Sequence, residues 1–140
     1  MTPHEKLLLM QRAAEMVDYN SETGAITWRR RDVYVRGWSN KLAGKECGVI
    51  NTGYRVIAFR FGPSRRFMVM AHRLAWFISF GVMPSGEIDH MNRDRADNRV
   101  ANLRDVSSSM NKRNLARKGN NTSGVPGVNW DKHRGKWFAR

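Results

Sequence analysis

Near the start of the chain, hydrophobic residues recur at the spacing of an α-helix. Leu7 and Met10 belong to this pattern, which predicts an amphipathic helix over residues 4–17. The polar run 19–24 is typical of a turn, and the apolar residues 25–28 predict a short strand after it. The chain is therefore expected to open with a helix, a turn and a strand.

The middle of the chain changes from a helical to an alternating pattern and back. Residues 37–53 are punctuated by glycines and indicate a loop with one short strand. The runs 54–59 and 66–70 flank a Gly-Pro-Ser sequence at 62–64, which predicts a β-hairpin. Helical spacing returns over residues 71–80, and the glycine that follows predicts the end of a helix there.

Two short strand candidates separated by a polar loop come next. Residues 87–91 and 103–106 predict strands. Ser107 or Ser108 can cap a helix that runs to about Leu115. A strand, a loop, a strand and a helix in so few residues predict that the helix folds back against the first strand.

The pattern as a whole predicts a mixed α+β fold with several β-hairpins. Alternation over 125–140 adds two short strands at the end of the chain, after a linker-like stretch at 117–123. We divide the chain into an N-terminal helix and turn (1–24), a central domain (25–116) and a linker with a C-terminal segment (117–140).

Charge indicates the class of partner. The 140 residues include 25 Lys or Arg and 12 Asp or Glu, a net charge of +13. The first 24 residues carry a net charge of −2, so the remaining 116 carry +15. A field this positive favours a polyanionic partner, and nucleic acid is the commonest one.

Other features of the composition exclude some classes of protein. Cys47 is the only cysteine, which excludes an intramolecular disulfide framework and a multi-cysteine zinc site. The longest apolar stretches are far shorter than the ~20 residues of a membrane span, and the N-terminus lacks the pattern of a signal peptide. We therefore expect an intracellular protein without a membrane partner.

One group of polar residues between positions 89 and 111 suggests hydrolysis of a phosphodiester bond. Asp89 and His90 end the first strand of the 87–106 pair, and the predicted folding brings Asn111 beside them. A carboxylate and an amide oxygen are hard ligands that suit Mg²⁺ or Mn²⁺. An adjacent imidazole could deprotonate the attacking water. Each residue alone has an ordinary structural explanation as part of a turn or cap, so the prediction depends on the arrangement.

The surrounding sequence resembles a known family. His90, Asn102 and Asn111 are similar to the His-Asn-Asn signature of HNH endonucleases of the phage and intron homing type. The resemblance extends from about Tyr19 to Asn114. It is carried by the segments His72-Arg73-Leu74-Ala75-Trp76, Ile88-Asp89-His90, Asp97-Asn98-Arg99, Asn102-Leu103-Arg104 and Asn111-Lys112-Arg113-Asn114.

The resemblance implies a ββα-metal finger at about 86–116, inside a nuclease domain. It implies that His90 is the general base and that Asp89 and Asn111 hold one divalent metal, Mg²⁺ or Mn²⁺, with no zinc expected. It also implies that Asn102 hydrogen-bonds across the finger loop and helps to orient the histidine. No small-molecule cofactor is implied.

His72 also lies in one of the segments that carry the resemblance, but we expect it to be a packed histidine. A histidine on a helix with apolar neighbours is more often part of a core than a catalyst.

Double-stranded DNA is the expected partner, and basic residues in and after the finger are the expected contacts. Arg93 and Arg113 are closest in sequence to the site and are our candidates for holding the scissile strand. A monomer is favoured because no heptad pattern indicates a dimer. The full set of expected DNA contacts is Arg93, Arg95, Arg99, Arg104, Lys112, Arg113, Arg117 and Lys118.

The C-terminal segment 121–140 is similar to the opening of an AP2 DNA-binding repeat, of which only two strands could be present. Asn129 and Asp131 stand where plant relatives carry base-reading arginines, which argues against sequence-specific recognition. The alternative is that Trp130 and Trp137 simply pack a hairpin.

Two functions in other classes remain open. A non-catalytic DNA-binding protein could keep the HNH scaffold and use the positive surface only to bind. RNA binding would need exposed aromatic residues among basic ones on a sheet, as Trp28 and Phe59 suggest, although such residues are more often core.

Overall fold

A computed structural model describes residues 1–30, 40–62, 65–114, 123–125 and 127–139, with the backbone alone at 112–114. Within these ranges, the structure has three α-helices and nine strands, and the strands form four small antiparallel sheets. This confirms the predicted α+β class. The helices and strands are α1 (Pro3–Ala14), β1 (Val17–Tyr19), β2 (Ile26–Trp28), β3 (Val49–Asn51), β4 (Tyr54–Arg60), β5 (Arg66–Met70), α2 (Ala71–Phe80), β6 (Glu87–His90), β7 (Leu103–Val106), α3 (Ser108–Asn114), β8 (Val128–Asp131) and β9 (Lys136–Ala139).

Helix α1 is shorter than its hydrophobic pattern predicts. It begins with a capping box, in which Thr2 and Glu5 each accept a hydrogen bond from the other's backbone N–H. It ends at Ala14, whereas the prediction extended the helix to residue 17. The prediction was wrong there because Val17 pairs with Trp28 across β1 and β2, so its apolar side chain enters the core from a strand.

The core lies between the two long helices and the three-stranded sheet β3–β4–β5. Strands β3 and β4 are joined by a two-residue turn in which Thr52 and Gly53 have φ values of 50° and 86°. The inward face of β4 buries Ile57 and Phe59, and α2 packs against both β4 and β5. Phe59 therefore belongs to the core, which removes it from an RNA-binding surface.

Strands β6 and β7, followed by α3, form a compact unit that we call the finger. The strands pair antiparallel with Asp89 opposite Arg104. Ile88 and Leu103 are buried in the main core and attach the finger to it. At the start of β6, the carboxylate of Asp105 accepts hydrogen bonds from the N–H groups of residues 85 and 86, at 2.7 and 2.8 Å.

The N-terminal turn packs directly on the loop of the finger. The Tyr19 hydroxyl donates to the carbonyl oxygen of Asn98 at 2.8 Å, and Val100 N–H donates to the carbonyl of Ser21 at 3.3 Å. Gly24 has a φ of 76°, and a Cβ there would lie 2.6 Å from the backbone N of Arg99. Only glycine fits both the conformation and the close approach.

The C-terminal strands β8 and β9 form the hairpin expected at the end of the chain. Trp130 and Trp137 face each other across the pair, with ring centroids 5.1 Å apart, and both are partly exposed. Of the linker predicted at 117–123, residues 117–122 lie outside the described residues. In the part of the chain that is described, no helix is long and apolar enough to cross a bilayer.

Candidate functional site

His90 ends β6 and lies in a buried cluster of rings. Its imidazole is edge-on to His72, with centroids 5.1 Å apart and an interplanar angle of 83°, and 6.0 Å from the ring of Tyr54. Its Nε2 atom is buried from solvent. Burial lowers the pKa of His90, although the Asn98 side chain and then the Asp89 carboxylate act in the opposite direction. A lowered pKa favours the neutral imidazole, which is the form that can accept a proton.

His72, in the first turn of α2, is the main neighbour of His90. It is only 7% exposed, as expected for a packed histidine. Burial, with smaller contributions from the charges of His90 and Arg73, lowers the pKa of His72 to about 3. Sequence reasoning missed its contact with His90, because that contact depends on how α2 packs against the finger.

Asp89 precedes His90 and is also buried. Its Oδ2 accepts hydrogen bonds from Arg104 Nε at 2.9 Å and from Arg104 Nη2 at 2.7 Å. The strand register explains this ion pair, because the two residues are directly opposite each other. The guanidinium compensates a carboxylate that would otherwise be costly to bury.

Asn111 is brought to strand β6, but its side chain is held by a residue that the sequence analysis did not identify. Its Nδ2 donates to Glu87 Oε2, and Ser108 Oγ donates to the other oxygen of the same carboxylate. Glu87 and Asp89 are two residues apart on β6 and therefore project from the same face. Glu87 thus links α3 to the face of β6 that carries Asp89.

Asn102 bridges the two ends of the finger loop. Its Oδ1 accepts from the backbone N–H of Asn92 at 3.0 Å, and its Nδ2 donates to the carbonyl of Asp97 at 2.9 Å. The side chain is buried. Asn102 therefore fixes the loop that follows His90, and its hydrogen bonds are to backbone groups of that loop.

Asn98 is a second buried amide in the same loop. It is 2% exposed, and its Nδ2 donates to the carbonyl of Ala96 at 3.0 Å. Its side chain also interacts with His90 and favours the protonated ring. The only sequence signal for it was its place in the Asp97-Asn98-Arg99 segment, which assigns no role to it.

The predicted metal ligands fit a hard divalent cation by the chemistry of their donors. Asp89 offers a carboxylate, and Asn111 offers an amide oxygen. Among the described residues, no three His, Cys, Asp or Glu side chains form a group that could hold a metal. Two oxygen donors are enough for the mode in which Mg²⁺ takes one or two protein ligands and completes its shell with water and phosphate oxygens.

The described basic residues of the finger differ in whether they already contact other groups of the protein. Arg99 makes two hydrogen bonds to Asp97, at 2.8 and 2.6 Å, and this partner lowers the pKa of the Asp97 carboxyl to about 2. The guanidinium of Arg95 lies over the ring of Tyr54, 4.9 Å from its centroid. Arg93 is exposed and makes no ion pair with a described residue.

The remaining predicted DNA contacts cannot be placed in the same way. Only the backbone of Lys112 and Arg113 is described, and Arg117 and Lys118 lie outside the described residues. Arg104, as noted, is paired with Asp89.

Comparison with known proteins identifies the same region. Residues 69–113, from β5 to α3, match the family model described as HNH endonuclease. The match covers about a third of the chain, and it supports the HNH family and a nuclease that acts on DNA. No significant match was found among curated proteins or solved structures.

Proposed function

We propose that this protein is a metal-dependent HNH endonuclease that hydrolyses phosphodiester bonds in double-stranded DNA. The observation that carries the proposal is the finger itself. In the segment that matches the HNH model, the first strand of the finger ends with the buried residues Asp89 and His90. Asn111 is hydrogen-bonded to Glu87 of the same strand. The excess positive charge after residue 24 supports a DNA substrate.

His90 is the general base in this proposal. We assign the acceptance of a proton from water to Nδ1, because Nε2 is buried. The water oxygen then attacks the phosphorus atom, and the bond from phosphorus to the 3′ oxygen breaks. The products are a 5′-phosphate and a 3′-hydroxyl, whose proton comes from solvent. The lowered pKa of His90 favours the neutral ring at neutral pH, and the neutral ring can accept the proton.

Asp89 and Asn111 are the residues that would hold a divalent metal such as Mg²⁺ or Mn²⁺. Bound there, the metal would stabilise negative charge on the scissile phosphate and on the departing oxygen. Arg104 balances the charge of Asp89 in the absence of a metal. It would be released toward DNA phosphates once Asp89 had another positive partner.

Arg93 and Arg95 are our strongest candidates for gripping the DNA backbone. The N–H of Arg93 donates to the carbonyl of His90 at 2.9 Å, so the Arg93 side chain begins one tight turn away from the proposed general base, His90. Its φ of 66° is rare for arginine, and such strain is often retained at functional sites. Arg95 stacks on Tyr54, the ring that also faces His90.

We further propose that the enzyme is of the freestanding phage homing type and acts as a monomer. The motif segments around the finger support the homing type. The C-terminal hairpin, with Trp130 and Trp137 partly exposed among basic residues, supports an AP2-like DNA-binding tail. With one site per chain, a single binding event would cut one strand.

A supercoiled-plasmid assay tests the proposal. Wild-type protein should convert plasmid to open circle or linear DNA with Mg²⁺ or Mn²⁺ and should do nothing in EDTA. His90→Ala should abolish cleavage and leave gel-shift affinity for duplex DNA within about twofold, because His90 is not a phosphate contact. His4→Ala, which removes an exposed histidine from the first turn of α1, is the matched control and should cut normally.

Two results would contradict this proposal. Cleavage by His90→Ala at the wild-type rate would remove the general-base assignment. Retardation without any cleavage of plasmid and of DNA from the protein's own source would favour a non-catalytic DNA-binding protein. A parallel gel shift with RNA of matched length should show weaker binding than with duplex DNA.

A further inference from the structure

The guanidinium of Arg95 is held in place by groups that carry no charge. Its carbon atom lies over the ring of Tyr54, 4.9 Å from the centroid, and its Nη1 donates to the carbonyl oxygen of Thr52 at 3.2 Å. A Cβ at Gly53 would come within 3.3 Å of the Cδ atom of Arg95, so glycine leaves room for the arginine stem. The turn between β3 and β4 therefore fixes this side chain through residues 52–54.

Arg95 also differs from two other arginines of the finger in that no acid neutralises it. Asp97 accepts hydrogen bonds from Arg99, and Asp89 accepts them from Arg104. Within the described ranges, Arg95 makes no ion pair. A ring contact and one hydrogen bond leave most of the five guanidinium N–H groups available to an anion. An arginine that is ordered before binding loses less conformational freedom when it takes up a phosphate group.

The ring that carries Arg95 also lies against the histidine cluster. The Tyr54 centroid is 5.3 Å from that of His72 and 6.0 Å from that of His90. One aromatic ring thus separates the guanidinium from the imidazole of the proposed general base. Tyr54 lies outside the segment that matches the HNH model, which begins at residue 69. The contact therefore joins the β3–β4 turn to the finger beside the site.

We propose that Tyr54 is a positioning residue that holds the Arg95 guanidinium for a DNA phosphate near the cleaved bond. Arg95 donates in-plane N–H hydrogen bonds to the phosphate oxygens, while the face of the guanidinium stays on the ring. The phosphate contact rests on the proposed DNA substrate, but the fixed guanidinium of the free protein does not. The β3–β4 turn, which is not part of the finger, thereby sets where the DNA backbone lies relative to His90.

Nuclear magnetic resonance of the free protein tests the held guanidinium without DNA or metal. The Nε–H proton of Arg95 should be shifted upfield by the ring current of Tyr54, and its signal is the one missing from Arg95→Gln. Tyr54→Leu removes the ring and should return this proton to the range of unstacked arginines. Tyr54→Phe keeps the ring and should keep the shift. A wild-type proton in the unstacked range would overturn the positioning role.

The affinity for duplex DNA, measured in EDTA to prevent metal-dependent cleavage, tests the phosphate contact. Arg95→Gln should weaken binding about tenfold and lower the slope of log K against log salt by about one. Tyr54→Leu should weaken binding about threefold at an unchanged slope, because the cation remains but is less ordered. Tyr54→Phe should bind DNA like the wild type.

A double-mutant cycle distinguishes an effect of Tyr54 through Arg95 from general loosening of the site. In an Arg95→Gln background, Tyr54→Leu should cause no further loss of affinity. In an Arg99→Gln background, Tyr54→Leu should still weaken binding about threefold, because that arginine is engaged by Asp97 and not by the ring. Equal losses from Tyr54→Leu in the two backgrounds would overturn the proposal.

These outcomes are distinguishable from failure of the proposed function. A protein that binds duplex DNA with the expected coupling but cuts none would support the role of Tyr54 and overturn the nuclease. A protein that does not bind duplex DNA would overturn both proposals. If Tyr54→Leu does not fold, Arg95→Lys decides, since lysine keeps the charge but lacks the planar group that stacks on the ring. Arg95→Lys should keep the salt slope and bind about threefold more weakly. Wild-type affinity in this variant would overturn the role of the ring.

Discussion

Replacing His72 by phenylalanine should make the protein more resistant to acid. His72 is 7% exposed, and its folded-state pKa is about 3, against an ordinary value of 6.5. Between these two values the unfolded chain binds a proton that the folded protein does not. Stability therefore rises with pH through this window and falls as the pH is lowered. Phenylalanine keeps a ring edge-on to His90 and binds no proton in either state.

The size of the effect follows from the width of this window. Each pH unit below the unfolded pKa costs the folded state about 1.4 kcal/mol for one missing proton. Acidification from pH 7.5 to pH 5 should therefore cost the wild-type protein about 2 kcal/mol through His72 alone. That is a large share of the ~5–15 kcal/mol of net stability that a domain has. Other titrating groups, such as Asp97, are common to both proteins and cancel in the difference.

Urea denaturation followed by circular dichroism at several pH values measures this difference. The difference in unfolding free energy between His72→Phe and wild type should grow by about 2 kcal/mol from pH 7.5 to pH 5. His133→Phe, at an exposed position in the hairpin, controls for the loss of a histidine as such. Parallel stability curves for wild type and His72→Phe over this range would refute the assignment of His72 as a buried neutral histidine.

Three other predictions concern the finger and its contacts. Gly24→Ala should lower the unfolding free energy by about 1–3 kcal/mol in the same urea assay, because of its positive φ and the clash with the backbone of Arg99; an unchanged midpoint would contradict this. Asp105→Ala should lower the Tm by several degrees through lost hydrogen bonds, and calorimetry would show it. Arg93→Ala should weaken duplex-DNA binding and lower the salt slope by about one, whereas Arg99→Ala should weaken it less, since Asp97 already engages that guanidinium. Equal losses in the two arginine variants would count against this ranking.

The secondary structure of the finger could be predicted because its signals are local. The strand candidates at 87–91 and 103–106 and a serine before α3 appear in the structure as two strands and a helix, within a residue or two of the predicted limits. The end of α1 could not be predicted in this way, since Val17 suits a helical face and a strand equally well. Its pairing with Trp28 decided the outcome.

The site was predictable only in part, and the reason is tertiary packing. Asp89, His90 and Asn111 could be grouped because a short strand–loop–strand–helix unit folds on itself. The contact between His72 and His90 depends on α2, and Tyr19 reaches Asn98 across 79 residues of chain. No local pattern encodes such distances, so the residues that surround the proposed general base emerged from the structure.

The paired indoles of the C-terminal hairpin provide an optical reporter. Trp130 and Trp137 lie opposite each other in the register, with ring centroids 5.1 Å apart and planes inclined at 65°. Two indole chromophores this close and this inclined couple their electronic transitions, which produces a paired positive and negative band in circular dichroism. Because the coupling is lost when β8 and β9 separate, this signal reports on the pairing of these two strands. It allows the melting of the tail to be recorded separately from that of the finger, in the intact chain and without a label.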